Sequence, residues 1–448
     1  MELRPYQRED VEKIKRLKCI GVFNEQRTGK TPTVCTALKE MGISKYIVVC
    51  PNSLLYMWKP AIEEWVGVTP IVYKKEQDLK QWIDSNVPII ISYERIRGTT
   101  NKQNPLYKYM LRHKVDAVVL DEAHTIRNRK NLTYKACMLL ARRTDVRIAM
   151  TGTPAYNTPR DIWAVINFIA PNYLGSYYNF CKEYFTSERV YTRARIIDKP
   201  TDTYQLGKDV VLANKIALIS VQRKRKDVLD WMTDIEPTIV KLQPTAKQSK
   251  AITSLEKYFE YEHIITPNVL ANMQAIRRLC ADPHLLNLDL TSPKTDWVVS
   301  FIKDNPDKSV ILFSLSTSYL VLLTKLFEEA NIRVAHIIGD VPAEQRMQHV
   351  QEFQRGTIKV LLVQMLCGKE GLTLDSADTA VFLDAYPPAG IYQQAKDRII
   401  PTTPDNIKPQ EIIHVMLQGT YDERLFKLVE ENFEATEVLN DYNKYLNR

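Results

Sequence analysis

The chain has 448 residues, too many for one hydrophobic core and suited to two or three domains. Its 45% hydrophobic and 25% charged residues are those of a globular protein in water, and a net charge of +8 permits a polyanionic partner without requiring one. No apolar run approaches the ~18 residues of a membrane span, the charged N-terminus carries no targeting signal, and seven cysteines without a C-x-x-C pair read as reduced core residues. A cytoplasmic compartment is expected, with no membrane partner.

Leu3-Arg4-Pro5-Tyr6-Gln7 precedes a helical pattern at Val11, Ile14 and Leu17. It reads either as a capped N-terminal helix or as a docking place for adenine, because the Gln7 amide offers a donor and an acceptor to a base edge. Cys19 to Phe23 reads as a short buried strand, and Asn24 to Thr31 then leads into a helix through Val34, Ala37 and Leu38. This is a phosphate loop of the G-x-x-x-x-G-K-[ST] kind, with Asn24 at the first glycine position. Asn tolerates left-handed backbone better than other non-glycine residues, so the departure is mild. Arg27, Thr28 and Gly29 bring backbone amides to phosphate, Lys30 faces the β/γ-phosphates, and the Thr31 hydroxyl ligates Mg²⁺.

Tyr46 to Cys50, Ile89 to Glu94 and Arg147 to Met150 read as further strands, each ending in small polar residues. Val115 to Asp121 has the unbroken apolar run of a strand buried on both faces, and two carboxylates, Asp121 and Glu122, follow at its carboxyl end. One can hold Mg²⁺ while the other deprotonates water. Together with the phosphate loop they describe an ATP site on a doubly wound parallel sheet.

Past Ala170 aromatic residues crowd, and a basic stretch holds Arg189, Arg193 and Arg195 among β-formers. It reads as a solvated face or as a hairpin touching phosphates. Lys247 to Leu279 has helical spacing. A second α/β unit begins near Ser309, with strands at Val310 to Ser314, Val334 to Ile338, Lys359 to Val363 and Ala380 to Asp384. It has no phosphate loop, which suggests that nucleotide binds in the cleft between the two units.

Several segments carry a resemblance. Met150-Thr151-Gly152-Thr153-Pro154 with Asn157, Trp163 and Asn167 to Pro171, then Arg223 to Leu229 and Ile276 to Leu286, form one group. Phe313-Ser314, Gly339-Asp340, Gly368 to Leu374, and Gln394-Ala395-Lys396-Asp397-Arg398 form another. In order and content the set resembles a superfamily-two helicase, more narrowly the Swi/Snf-type DNA translocases, and among them the short helicase-like proteins of bacteria and their phages.

The resemblance implies an α/β fold of two RecA-like parallel-sheet lobes with helical and hairpin insertions between them and ATP in the interlobe cleft. Residues 1–170 would be the first lobe, 171–290 the insertions and interlobe linker, and 291–448 the second lobe. It further implies Gln7 as the adenine contact, and Ser53, Trp58, Thr151, Gly152, Thr153, Gly368, Gly371 and Thr373 on the DNA side, gripping phosphate without reading bases. Arg398 would assist catalysis from the second lobe. The family usually offers a second arginine three residues on, where Pro401 stands here.

The function implied is an ATP-dependent DNA helicase or translocase, with ATP and Mg²⁺ as cofactors. It would be a monomer on duplex or branched DNA, independent of sequence, in a prokaryotic cell or phage-infected host. The alternatives are a silent DNA-binding clamp, for which Pro401 speaks, and an RNA helicase.

Overall fold

The computed structural model describes residues 2–97, 109, 115–152, 154–155, 158–191, 196–229, 235–367, 374–385, 389–400 and 410–431. The chain divides into two compact units, residues 1–230 and 231–448. The segment read as insertions and linker, 171–290, is therefore shared between them. Two strands within that segment join the sheets, Ser220–Val221 the first and Thr238–Leu242 the second; the first is too short to show a period in the sequence and the second is exposed and half-polar.

The first unit holds β1 (Cys19–Val22), β2 (Tyr46–Cys50), β3 (Ile71–Val72), β4 (Ile89–Ser92), β5 (Val115–Asp121) and β6 (Thr144–Met150). An antiparallel hairpin of β7 (Phe185–Tyr191) and β8 (Ile196–Tyr204) follows, and then β9 (Ser220–Val221). All except the hairpin form a parallel sheet in the order β3-β4-β2-β5-β6-β1-β9. The apolar run of β5 is buried as its composition demands, Ala117 to Leu120 being fully covered. Successive side chains of a strand point to opposite faces, so the run feeds two cores. Ala117 and Val119 pack with Val48, Ile90 and Ile148 on one face. Val118 and Leu120 pack with Ile47, Ile89 and Ala149 on the other.

The second unit has its own parallel sheet. Its strands are β10 (Thr238–Leu242), β13 (Val310–Ser314), β14 (Val334–Ile337), β15 (Val360–Gln364), β16 (Thr379–Phe382) and β17 (Glu411–Leu417), in the order β10-β17-β16-β13-β15-β14. The helical spacing between 247 and 279 resolves into two helices, Ala246–Tyr258 and Val269–Ala281, parted by the small hairpin β11 (Glu260–Tyr261) and β12 (Ile264–Ile265). A buried ion pair ties this unit together. The Lys294 ammonium, fully covered, donates to the Leu383 carbonyl at 2.8 Å and to Asp422 Oδ2 at 2.7 Å. Among the described residues no helix is long and apolar enough to cross a membrane.

His414 on β17 makes this unit acid-sensitive. Its ring lies among Phe382, Tyr392 and Phe426, and its Nε2 pairs with the Tyr392 hydroxyl at 2.7 Å. Glu430 Oε1 stands 3.9 Å from Nδ1. Burial, with a smaller contribution from the Lys396 charge, pushes the imidazole down to about 4. The unfolded chain therefore takes up a proton first. The stability that His414 contributes is complete above pH ~6.5 and is lost as the pH falls through about 4, roughly 3 kcal/mol in all. Hydrogen exchange of β17 at pH 7.5 and pH 5 should show wild type losing ~2 kcal/mol more than His414→Gln. Equal losses would refute the assignment.

Candidate active site

The strand ends of the first unit place the site. In the sheet register Val221 is level with Val22, Val22 with Met150, and Met150 with Asp121. The phosphate loop leaving β1, Thr151 leaving β6, and the carboxylates leaving β5 thus emerge side by side at one edge, where ligands bind in parallel α/β sheets.

The loop is held from beneath by α1 (Pro5–Leu17). The Tyr6 hydroxyl donates to the Thr28 carbonyl at 2.9 Å, and Gln7 Nε2 donates to the same carbonyl at 3.1 Å and to that of Gly29 at 3.4 Å. Gln7 Oε1 accepts from the Arg4 amide at 2.8 Å. The Gln7 amide, read as an adenine contact, is thus engaged with the loop backbone and with Arg4. Gly29 has φ +74°, a backbone that favours glycine, and a Cβ there would stand 2.1 Å from Gln7 Nε2 and push that amide aside. Arg27, at φ 68°, takes left-handed backbone, and Asn24 does not use its tolerance for it. Its side chain instead donates from Nδ2 to Asp10 Oδ2 at 2.7 Å.

Gly29 caps α2 (Lys30–Glu40), so Lys30 and Thr31 open its first turn. The Lys30 ammonium donates to the carbonyls of Asn24 (2.9 Å) and Glu25 (3.0 Å), filling the hollow of its own loop. The Thr28 hydroxyl donates to the Glu25 carbonyl at 2.7 Å.

Asp121 and Glu122 have separate surroundings. Asp121 is buried; its Oδ2 accepts from Trp58 Nε1 at 2.8 Å, its Oδ1 from the Glu122 amide at 2.9 Å, and its carbonyl from the Tyr93 hydroxyl at 2.8 Å. Burial and then the Glu122 charge push its carboxyl up to about 6, against the pull of the Trp58 N–H, the Lys30 charge and the Glu122 amide. Glu122 adopts left-handed backbone at φ 47°, ψ 53°, an uncommon conformation for a non-glycine residue. Its Oε2 lies 3.3 Å from His124 Nδ1, which is 3.1 Å from the Thr151 hydroxyl. His124 and Thr151 therefore form a polar bridge from the β5 end to the β6 end.

Of the residues expected on the DNA side, Trp58 is a correction. It lies on α3 (Leu55–Trp65), is only 2% exposed, and its indole N–H is committed to Asp121. A large apolar ring three residues into a helix packed on the sheet is driven to the core. Thr151 is fully buried, and Gly152 lies against Gln26 and Asn24 of the phosphate loop. Ser53 sits half-buried in the 3₁₀ turn Asn52–Leu54. Arg189 is exposed on β7, 4.0 Å from Asp198. Thr153, Arg193, Arg195, Gly368, Gly371 and Thr373 lie outside the described residues. In the second unit Arg398 follows the helix Ala389–Asp397, is 7% exposed, and accepts at its carbonyl from the Leu374 amide at 2.9 Å.

Sequence reasoning passed over Asp10, a fully buried acid on α1 that meets both Asn24 and Arg223. The signal it offered was an acidic residue on the apolar face of an amphipathic helix.

Fold and site together define a phosphate-loop α/β protein with a second parallel-sheet unit. Residues 10–285 match the SNF2-related domain and residues 293–400 the helicase conserved C-terminal domain; the chain belongs to the SNF2-related family. It is 23% identical to an uncharacterized ATP-dependent helicase of Mycoplasma pneumoniae over 96% of this chain and 42% of that protein. It is also 23% identical to the human DNA annealing helicase and endonuclease ZRANB3 over 84% of this chain and 36% of that protein. The chain thus spans less than half the length of either relative. Among solved structures, the Pyrococcus furiosus Hef helicase domain is similar in fold, with a TM-score of 0.55, 16% identity, and coverage of 95% of this chain and 98% of that one.

Proposed function

We propose that the chain is a DNA-dependent ATP hydrolase that couples hydrolysis to movement along duplex or branched DNA. The observation that carries the reading is the single row of strand ends that brings Lys30, Asp121 and Glu122 to one edge of the sheet. Family membership and the human relative, a DNA annealing helicase by name, support DNA as the partner.

ATP phosphates would displace the Asn24 and Glu25 carbonyls from the Lys30 ammonium, exchanging neutral acceptors for charged ones. The Thr31 hydroxyl and Asp121 carboxylate are hard oxygen donors of the kind Mg²⁺ takes beside phosphate and water, so the residues present fit that cation. Bound there, the cation would offset charge on the phosphates. Glu122, beside His124, would take the proton of the attacking water. The Thr151 hydroxyl, 3.1 Å from the same His124 Nδ1 that faces Glu122, links that base to the chain leaving β6.

ATP hydrolysis rates with single-stranded, duplex, forked and four-way DNA, and with RNA, test the reading. Strong stimulation by DNA that contains duplex is expected, and stimulation by RNA alone would sink it. The hairpin β7–β8 is proposed as a phosphate contact. Neutralising Arg189, Arg193 and Arg195 together should weaken binding equally across sequences and reduce the salt slope by ~2–3. A sequence-selective loss, or no change, would remove the hairpin from the interface.

A further inference from the structure

Asp10 stands fully buried between two partners distant in sequence. Its Oδ2 accepts from Asn24 Nδ2 at 2.7 Å; its Oδ1 accepts from Arg223 Nε at 3.0 Å and Nη2 at 2.8 Å. Arg223 Nη2 also reaches Glu9 Oε2 at 2.9 Å. The segment that carries Arg223 continues β9 along the phosphate loop. The Phe23 amide donates to the Val221 carbonyl (2.9 Å), the Glu25 amide to that of Arg223 (2.9 Å), and the Arg225 amide to Glu25 Oε2 (2.7 Å).

The two residues gripped in this way, Asn24 and Glu25, are those whose carbonyls receive the Lys30 ammonium. Asn24 also leaves its own Oδ1 buried with no hydrogen-bond partner. A glycine, the residue usual at this place in phosphate loops, would avoid that cost and keep the loop flexible. The asparagine is useful only if its grip on Asp10 matters.

We propose that Asp10, Asn24 and Arg223 form a positioning clamp that holds the first half of the phosphate loop in its nucleotide-receiving shape, so that the segment after β9 sets the affinity for ATP. The inference rests on the ATP reading above. None of the three need touch nucleotide; they fix the Asn24 and Glu25 backbone, and with it the shape of the loop that the phosphates enter. The clamp depends on charge. Removing Arg223 alone strands a buried carboxylate, whereas removing both charges does not.

The test is ATPγS binding by the full chain, well below its melting temperature, beside thermal melting of each variant. Arg223→Gln should raise the dissociation constant ~10-fold, and Asp10→Asn/Arg223→Gln should recover most of that loss. Asn24→Gly restores the usual glycine, removes no charge and is the variant least at risk of misfolding. It too should raise the constant ~10-fold, the opposite of what the motif alone would suggest. If Arg223→Gln and Asn24→Gly melt earlier yet bind ATPγS within about twofold of wild type, the contacts are merely structural and the proposal falls. Failure of the wild-type chain itself to bind ATPγS would overturn the ATP reading, and the clamp with it.

Discussion

Glu122→Gln is expected to bind ATP and DNA as the wild type does and to hydrolyse ATP ~10²–10⁴-fold more slowly. The two adjacent carboxylates are not equivalent, which is why the prediction falls on this one. Both Asp121 oxygens accept hydrogen bonds in a buried setting, from an indole N–H and a backbone amide, and that would orient the carboxylate for the proposed role of cation ligand. Glu122 takes left-handed backbone, and its carboxylate meets His124. Gln preserves shape and hydrogen bonding near His124 but cannot accept a proton. Lys30→Ala should behave differently, losing nucleotide binding itself because the cation facing the phosphates is gone. Single-turnover hydrolysis and equilibrium ATP binding, measured on both variants, separate the two roles. A Glu122→Gln chain that turns over at the wild-type rate would show that another group is the base.

Arg398→Ala is expected to cut DNA-stimulated hydrolysis ~10³–10⁵-fold while ATP affinity stays within a few-fold of wild type. The family resemblance assigns it the cation that offsets charge developing on the γ-phosphate, and Pro401 offers neither side-chain charge nor backbone N–H as a substitute. Arg suits the role because its planar fork can bind two phosphate oxygens, whereas Lys396 on the same segment is a point charge. Arg398 is 7% exposed, so the same substitution also removes a buried side chain from the second unit. Hydrogen exchange of β17 and β16 must therefore accompany the kinetics. Lost turnover with unchanged protection in those strands supports the catalytic role; lost protection marks Arg398 as structural, and retained turnover moves the role to another residue.

The sequence by itself determined the fold class, because buried parallel strands are written as apolar runs such as Ala117–Leu120 and Val310–Phe313. It also grouped Lys30, Thr31, Asp121 and Glu122 as one proposed set, since a phosphate loop and paired acids after strands combine in few other ways. It did not show the strands Ser220–Val221 and Thr238–Leu242, and so left residues 171–290 as one linking segment, which the two compact units share. Two residues have no period, and the exposed, half-polar edge strand gives a weak one. Nor could it assign partners to side chains whose chemistry fits several uses. The Gln7 amide suits a base edge as well as the Thr28 carbonyl, and the Trp58 indole suits a nucleic-acid surface as well as Asp121. Asp10 and Arg223 are 213 positions apart. Hydrogen bonds act over about 3 Å, and only the folded sheet, by setting Val221, Val22, Met150 and Asp121 in one row, decides which distant groups come that close.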